Sequence, residues 1–124
     1  MLRKYCLVVQ NNSLNGYSKI IQAALNYIVF HLTDDLSLKA LSTEVKSSPN
    51  YLSSQFKREV GKTITQFVNE KRIEKSLLLL TTTDLQIQEI AEKIGINDEN
   101  YFSRLFKKTY KISAREYRNN LKQR

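Results

Sequence analysis

The sequence predicts an all-α protein of about seven helices, and three observations support that fold class. Apolar residues recur at the i, i+3, i+4, i+7 spacing of a helix face along most of the chain. Only three glycines and one proline interrupt the 124 residues, which leaves little turn material for a β-meander. In addition, one pair of helices occurs twice, at about 37–60 and about 86–109.

The first element in chain order, residues 1–16, fits none of the helical patterns of the following domain, which is predicted over 17–122. It contains a short apolar run and ends in the turn-like sequence NNSLNG. We interpret it as a linker or as the end of an upstream region. A helix is predicted over 17–31, and its apolar face should pack against the first helix pair. The residues of that face are Ile20, Ile21, Ala24, Leu25 and Ile28.

The helix pair that follows returns about fifty residues later. The octapeptide NYLSSQFK at 50–57 recurs as NYFSRLFK at 100–107. Upstream of it, LSLKALSTEV (36–45) aligns with LQIQEIAEKI (85–94), and both segments carry an apolar helical stripe. Each copy therefore predicts a short helix, a tight turn and a second helix. This is the pattern of a helix-turn-helix unit, whose second helix can enter the DNA major groove.

The turns and the remaining helices follow from caps and periodicity. Ser48 is a good N-cap for the second helix of the first copy, and Gly95 suits a left-handed helix end in the second copy. A long linker helix is predicted over about 63–80, between the two units. A last helix is predicted over about 113–122, with Ser113 as its N-cap.

The net charge of +8 is distributed unevenly. Residues 45–80 contain seven basic and three acidic side chains, residues 81–99 one and five, and residues 100–124 eight and one. Concentrated positive charge favours a polyanionic partner, either nucleic acid or an anionic membrane surface. The alternative is a surface that is charged only for solubility.

Polar residues share one face of each second helix, opposite an apolar face that should be core. Asn can bind adenine through two hydrogen bonds, Arg can bind guanine in the same way, and Ser adapts to either base. The candidate base-contacting residues are Asn50, Ser53 and Ser54 in the first copy and Asn100, Ser103 and Arg104 in the second. An ordinary solvated surface is the alternative for each residue taken singly.

Basic residues follow these faces, where a recognition helix meets the phosphate backbone. The candidate phosphate-contacting residues are Lys57, Arg58, Lys107, Lys108, Lys111, Arg115 and Arg118.

From about residue 22 to residue 120, the sequence resembles the DNA-binding domain of the AraC/XylS family of bacterial transcription regulators. The resemblance is carried by SLKALSTEVKSSPNYLSSQFKREVGKTITQFVNEKRI and IQEIAEKIGINDENYFSRLFKKTYKISAREYR. It implies two homeodomain-like helix-turn-helix subdomains, joined by a long helix, that read adjacent major grooves. It also implies base contact by the six residues named above.

Some positions depart from the family pattern. Lys111 and Ala114 stand where the family usually has Gly and Pro, and Ile96 stands where it usually has Phe. Lys111 lacks the conformational freedom of glycine, so the turn there is expected to be strained. At Leu77 and Leu78 the family tends to place basic or polar residues, so we expect one of the two leucines to be exposed.

Other functional classes find little support in the sequence. The chain has one histidine, His31, one cysteine, Cys6, and no Gly-rich phosphate loop, so we expect no catalytic residues, no metal site and no cofactor. No apolar run approaches the ~18 residues of a membrane span, and no membrane partner is expected. The main alternative is a helical protein–protein interaction module. RNA binding is less well supported, since no exposed aromatic platform is predicted.

The expected function is sequence-specific binding of double-stranded operator DNA by a bacterial transcription regulator. RNA polymerase is the second expected partner, with the protein acting as an activator in the cytoplasm at the nucleoid. The chain itself should be monomeric, because no heptad seam or β edge is left for pairing. Dimerisation of a full-length protein would then use a region N-terminal to this domain.

Overall fold

The computed structural model describes residues 16–122. Within that range the chain forms seven α-helices and no β-strand, which confirms the all-α fold class. The helices are α1 (Lys19–Phe30), α2 (Leu38–Glu44), α3 (Pro49–Val60), α4 (Ile64–Thr82), α5 (Ile87–Lys93), α6 (Glu99–Tyr110) and α7 (Ala114–Lys122). The predictions for residues 1–15 lie outside the described residues.

The chain divides into two compact units. The first contains the described residues up to His31 together with Leu36–Thr65, and the second contains Leu32–Asp35 together with the described residues from Gln66 onward. Each unit contains one helix-turn-helix pair, α2–α3 in the first and α5–α6 in the second. The linker helix α4 begins in the first unit and continues into the second.

The first unit packs α1 and α2 against α3. Its buried apolar residues lie on the faces that the helical spacing predicts, since residues three or four apart share a side of a helix. They are Ile21, Ala24, Leu25, Ile28, Leu36, Leu41, Leu52, Phe56 and Ile64. Ser48 caps α3 by accepting a hydrogen bond from the Tyr51 backbone N–H at 3.2 Å, and Pro49 occupies the first turn.

The second unit has its own core around two phenylalanines of α6. Buried residues of α4, α5, α6 and α7 form one cluster: Ile73, Leu80, Ile87, Ile90, Ala91, Ile94, Ile96, Phe102, Phe106 and Ala114. Ile96 and Ala114, which differ from the family pattern, are therefore core residues. Leu78 is 59% exposed, whereas Leu77 packs partly against this core, so Leu78 is the exposed leucine of the pair.

Hydrogen bonds from capping residues define the helix ends of the second unit. Asp98 caps α6 by accepting from the backbone N–H groups of Asn100 and Tyr101. Ser113 and Glu116 cap α7 reciprocally, because each side chain accepts from the other residue's backbone N–H. Lys111 ends α6 in the left-handed conformation, with φ of 74°, at the turn where the sequence predicts strain.

Within the described range, no helix is long and apolar enough to cross a lipid bilayer.

Candidate nucleic-acid interface

The second helix of the first pair, α3, has two distinct faces. Leu52 and Phe56 are fully buried, and this anchorage fixes the rotation of the helix about its axis. The opposite side consists of exposed polar residues at i, i+3, i+4 and i+7 spacing. They are Asn50, Ser53, Ser54 and Lys57. The four predicted residues therefore lie together on one solvent-facing surface.

The second helix of the second pair, α6, repeats this arrangement. Phe102 and Phe106 are fully buried, with their ring centroids 6.0 Å apart, and they fix the helix rotation as Leu52 and Phe56 do in α3. The predicted polar residues again lie opposite. Asn100, Arg104 and Lys107 are exposed, and Ser103 is half-buried.

Two basic residues occupy the last turn of each of these helices, Lys57 and Arg58 in α3 and Lys107 and Lys108 in α6. All four are exposed. Cations in a last turn also stabilise a helix through its dipole, so the position by itself has a structural explanation. Their place directly after a polar helix face is what makes them candidates for phosphate contact.

A shallow depression of about 450 Å³ lies on the surface of the second unit. It is bounded by the polar face of α6 and by the residue that caps α7. The lining residues are Ser103, Arg104, Lys107, Lys108 and Ser113. Four of these five are residues that the sequence predicts to contact DNA, so the fold brings three cations together beside one concave surface.

The two arginines of α7 have different environments. Arg115 has 74% of its side chain exposed and lies 3.9 Å from the Glu99 carboxylate. Arg118 is half-buried and donates hydrogen bonds to the backbone carbonyls of Leu80, Thr83 and Leu85. Because these carbonyls occupy its guanidinium, Arg118 is less able than Arg115 to contact a phosphate.

Two exposed tyrosines also lie on α3 and α6, and the sequence prediction assigns them no role. Tyr51 and Tyr101 occupy the same position of the repeated octapeptide and are 53% and 37% exposed. Their recurrence beside Asn50 and Asn100 is the sequence signal that could have identified them.

The described residues contain no group of three or more His, Cys, Asp and Glu residues that could bind a metal ion. His31, at the end of α1, stacks on Tyr27 at a centroid distance of 3.9 Å, and its Nδ1 is 2.8 Å from the Tyr27 carbonyl oxygen. These contacts give His31 a structural role at the end of α1.

Comparison with known proteins identifies the family. The helix-turn-helix domain family matches residues 41–120. The arabinose operon regulatory protein of Escherichia coli is 33% identical over 99 residues, which are 79% of this chain and 34% of that protein. The chain belongs to the AraC/XylS family of transcription regulators. Its fold and its repeated helix pairs are those of an AraC-type DNA-binding domain, and that family is not enzymatic.

Two further relatives agree with this AraC-type assignment. The regulatory protein PocR of Salmonella typhimurium is 36% identical over 98 residues, which are 79% of this chain and 32% of that protein. The C-terminal domain of AraT, a response regulator from Geobacillus stearothermophilus, superposes with a TM-score of 0.80 at 38% identity, covering 83% of this chain and 86% of that domain. The chain thus spans about a third of the length of the curated relatives.

Proposed function

We propose that this AraC-type domain reads operator DNA with α3 and α6, one in each of two adjacent major grooves. The observation that carries the proposal is the repeated polar face. Residues able to hydrogen-bond base edges are exposed on both helices, and fully buried apolar residues fix the rotation of each helix. Adjacent grooves on one side of B-DNA are roughly 34 Å apart.

In this proposal the polar residues contact bases and the cations contact phosphates. The base contacts are Asn50, Ser53, Ser54, Asn100, Ser103 and Arg104. The phosphate contacts are Lys57, Arg58, Lys107, Lys108, Lys111 and Arg115. Phosphate contacts set the orientation of the domain on the duplex, and base contacts select the sequence.

The further partners are also part of the proposal. The protein acts as an activator at the nucleoid, in the cytoplasm, and its protein partner there is RNA polymerase. The chain itself is monomeric, and dimerisation of a longer protein uses residues outside this domain. This chain spans about a third of the length of its curated relatives. That share supports the proposal that DNA binding and dimerisation use different regions of a longer protein.

A helical protein–protein interaction module is the competing function. The exposed leucine on α4, Leu78, is the feature that favours it. Titration of the chain with random duplex DNA at low and at moderate salt separates the two functions. A DNA-binding domain binds random duplex more weakly as the salt rises, whereas an interaction module does not bind at either salt concentration.

The sharpest test concerns the division between base and phosphate contacts. Arg104 is the only arginine on either polar face, and an arginine that forms two hydrogen bonds to guanine contributes about 1–3 kcal/mol of discrimination. We therefore predict that Arg104→Ala weakens binding to the preferred duplex by that amount and flattens the preference at one base pair. The measurement is a binding titration against a duplex selected from a random pool and its single-base variants.

Two variants serve as controls. Ser54→Ala, at the equivalent position of α3, should cost less than half as much, because serine reaches less far. Lys108→Ala should weaken binding to every sequence alike. If Arg104→Ala lowers affinity equally for all sequences, Arg104 contacts phosphate and this division is wrong.

A further inference from the structure

We propose that Tyr101 is a positioning residue that holds Arg104 in the orientation needed to read one base pair, and that Asn69 of α4 holds Tyr101 in turn. This inference rests on the proposed function, since it names what prepares the base-reading arginine of α6. It assigns a function to one of the two exposed tyrosines of the repeat.

The first contact joins the arginine to the ring. The guanidinium carbon of Arg104 lies 5.8 Å from the centroid of the Tyr101 ring. A guanidinium within about 6 Å of an aromatic centroid is attracted to the ring electrostatically. Tyr101 lies three residues before Arg104 on the same helix, so the two side chains are neighbours on its surface. The ring therefore restricts an otherwise flexible, exposed side chain.

The second contact fixes the ring. The Asn69 side-chain amide donates a hydrogen bond to the Tyr101 hydroxyl oxygen over 3.1 Å, and 32 residues separate the two along the chain. The start of α6 is fixed as well, because Asp98 accepts hydrogen bonds from the backbone N–H groups of Asn100 and Tyr101. Tyr101 is thus held at its hydroxyl and at its backbone.

Restriction before binding has a defined consequence for affinity. A long side chain loses rotamer freedom when it docks on a base, and a side chain already held near its bound orientation loses less. The loss of Tyr101 should therefore weaken the contact that Arg104 makes. Because only the contact of Arg104 is affected, preference should fall at the same base pair and at no other.

The first copy of the motif provides a matched control. Tyr51 occupies the position of Tyr101, but the residue three positions later is Ser54, which has no charge to place over the ring. Substitution of Tyr51 should therefore leave the base-pair preference of the domain unchanged. Any general effect of removing an exposed tyrosine from a recognition helix would appear equally in both copies.

The experiment uses the full chain and a duplex that the wild-type chain selects from a random pool, together with its single-base variants. We expect Tyr101→Leu to lower affinity for the selected duplex by about fivefold and to flatten preference at the base pair that Arg104→Ala flattens. Tyr101→Phe keeps the ring and should restore most of that preference. Asn69→Ala should resemble Tyr101→Phe, and their combination should be no worse than either alone.

A double-mutant cycle decides the mechanism. In an Arg104→Ala background, Tyr101→Leu should change affinity by less than about twofold. An equal loss in both backgrounds would mean that Tyr101 contacts DNA itself or supports the fold, and it would overturn the inference. If Arg104→Ala flattens one base pair and Tyr101→Leu does not, the inference fails while the proposed function stands. If the wild-type chain selects no sequence, the proposed function fails first.

Discussion

At the scale of single residues, the backbone of the described chain enters the left-handed region at two lysines and two glycines, Lys46, Lys111, Gly61 and Gly95. Only at Gly95 is a side chain also excluded by its neighbours. A Cβ atom there would overlap the Leu32 carbonyl oxygen. This oxygen accepts a hydrogen bond of 2.9 Å from Arg72, so it cannot move away without loss of that bond. Gly95 is therefore required both by its φ and by its close approach.

Substitution of the two glycines separates these requirements. Gly61 and Gly95 both have φ of 91°, but nothing lies within 4 Å of a Cβ atom at Gly61. We predict that Gly61→Ala lowers the free energy of unfolding by about 1 kcal/mol, the cost of a left-handed residue with a side chain. Gly95→Ala should lower it by about 2–4 kcal/mol, since the turn must also shift. Urea unfolding measures both, and equal losses would show that the close approach carries no cost.

At the scale of elements, the end of α4 is held by an arginine of α7. The Arg118 guanidinium donates hydrogen bonds to three carbonyl oxygens, including those of Leu80 at 3.4 Å and Thr83 at 3.0 Å. Carbonyls at the end of a helix have no partner within the helix. Arg118 thus stabilises the connection between α4 and α5, although its position three residues after the exposed Arg115 does not distinguish the two in the sequence.

The two arginines should therefore respond differently to substitution. We predict that Arg118→Ala lowers the free energy of unfolding of the chain by about 2–3 kcal/mol, because charged hydrogen bonds to carbonyls are lost, and leaves the salt dependence of DNA binding unchanged. Arg115→Ala should have little effect on stability and should reduce the salt slope by about 0.9, the value of one phosphate contact. The reverse pattern in unfolding and binding titrations would return Arg118 to the phosphate contacts.

A second set of hydrogen bonds between elements connects the start of α1 to α3. Glu59 accepts a hydrogen bond from the Gln55 side chain at 2.5 Å. It also accepts from the Ser18 backbone N–H and hydroxyl, each at 2.8 Å. These bonds, of which that from Gln55 has the largest effect, lower the pKa of the Glu59 carboxyl. A carboxyl whose pKa is lower in the folded chain stabilises the fold above its unfolded pKa.

The pH dependence of stability follows from that sign. We predict that the wild-type chain has a higher free energy of unfolding than Glu59→Gln at neutral pH. The difference should begin to decline as the pH falls below about 4.3, where an unfolded glutamate protonates, and should be lost as the pH falls through the lower pKa of the folded chain. Thermal unfolding from pH 3 to pH 7 measures it. Ser18→Ala, which removes only the hydroxyl donor, should show the same trend with a smaller amplitude. A difference that is constant with pH would mean that the carboxylate charge is not involved.

At the scale of the whole molecule, charge is the property that the two units share. Six of the cations predicted to contact phosphate, Lys57, Arg58, Lys107, Lys108, Lys111 and Arg115, are exposed. Each phosphate neutralised on duplex DNA releases counterions and contributes about 0.9 to the slope of log affinity against log salt. A strong dependence on salt is therefore expected from the domain as a whole.

We predict a slope of about −4.5 to −5.5 for the wild-type chain on duplex DNA, since five to six such contacts form at once. Binding titrations from low to moderate salt give this value directly. The six single alanine variants of these cations should each reduce the slope by a similar amount. A slope near zero would contradict DNA binding through the basic residues of either unit.

The sequence by itself determined the seven helices, their buried faces and the duplicated helix pair. These features depend on residues within one or two turns of each other. The spacing of the apolar side chains predicts the helices, and Ser48 and Gly95 predict where helices begin and end. Only the tertiary structure decided which polar residues already form hydrogen bonds within the protein. Arg118 donates hydrogen bonds to carbonyl oxygens more than thirty residues away, and the Tyr101 hydroxyl accepts one from the side chain of Asn69, which is 32 residues away. Helical periodicity contains no information about partners at such a distance, because those contacts depend on how the helices of a unit pack.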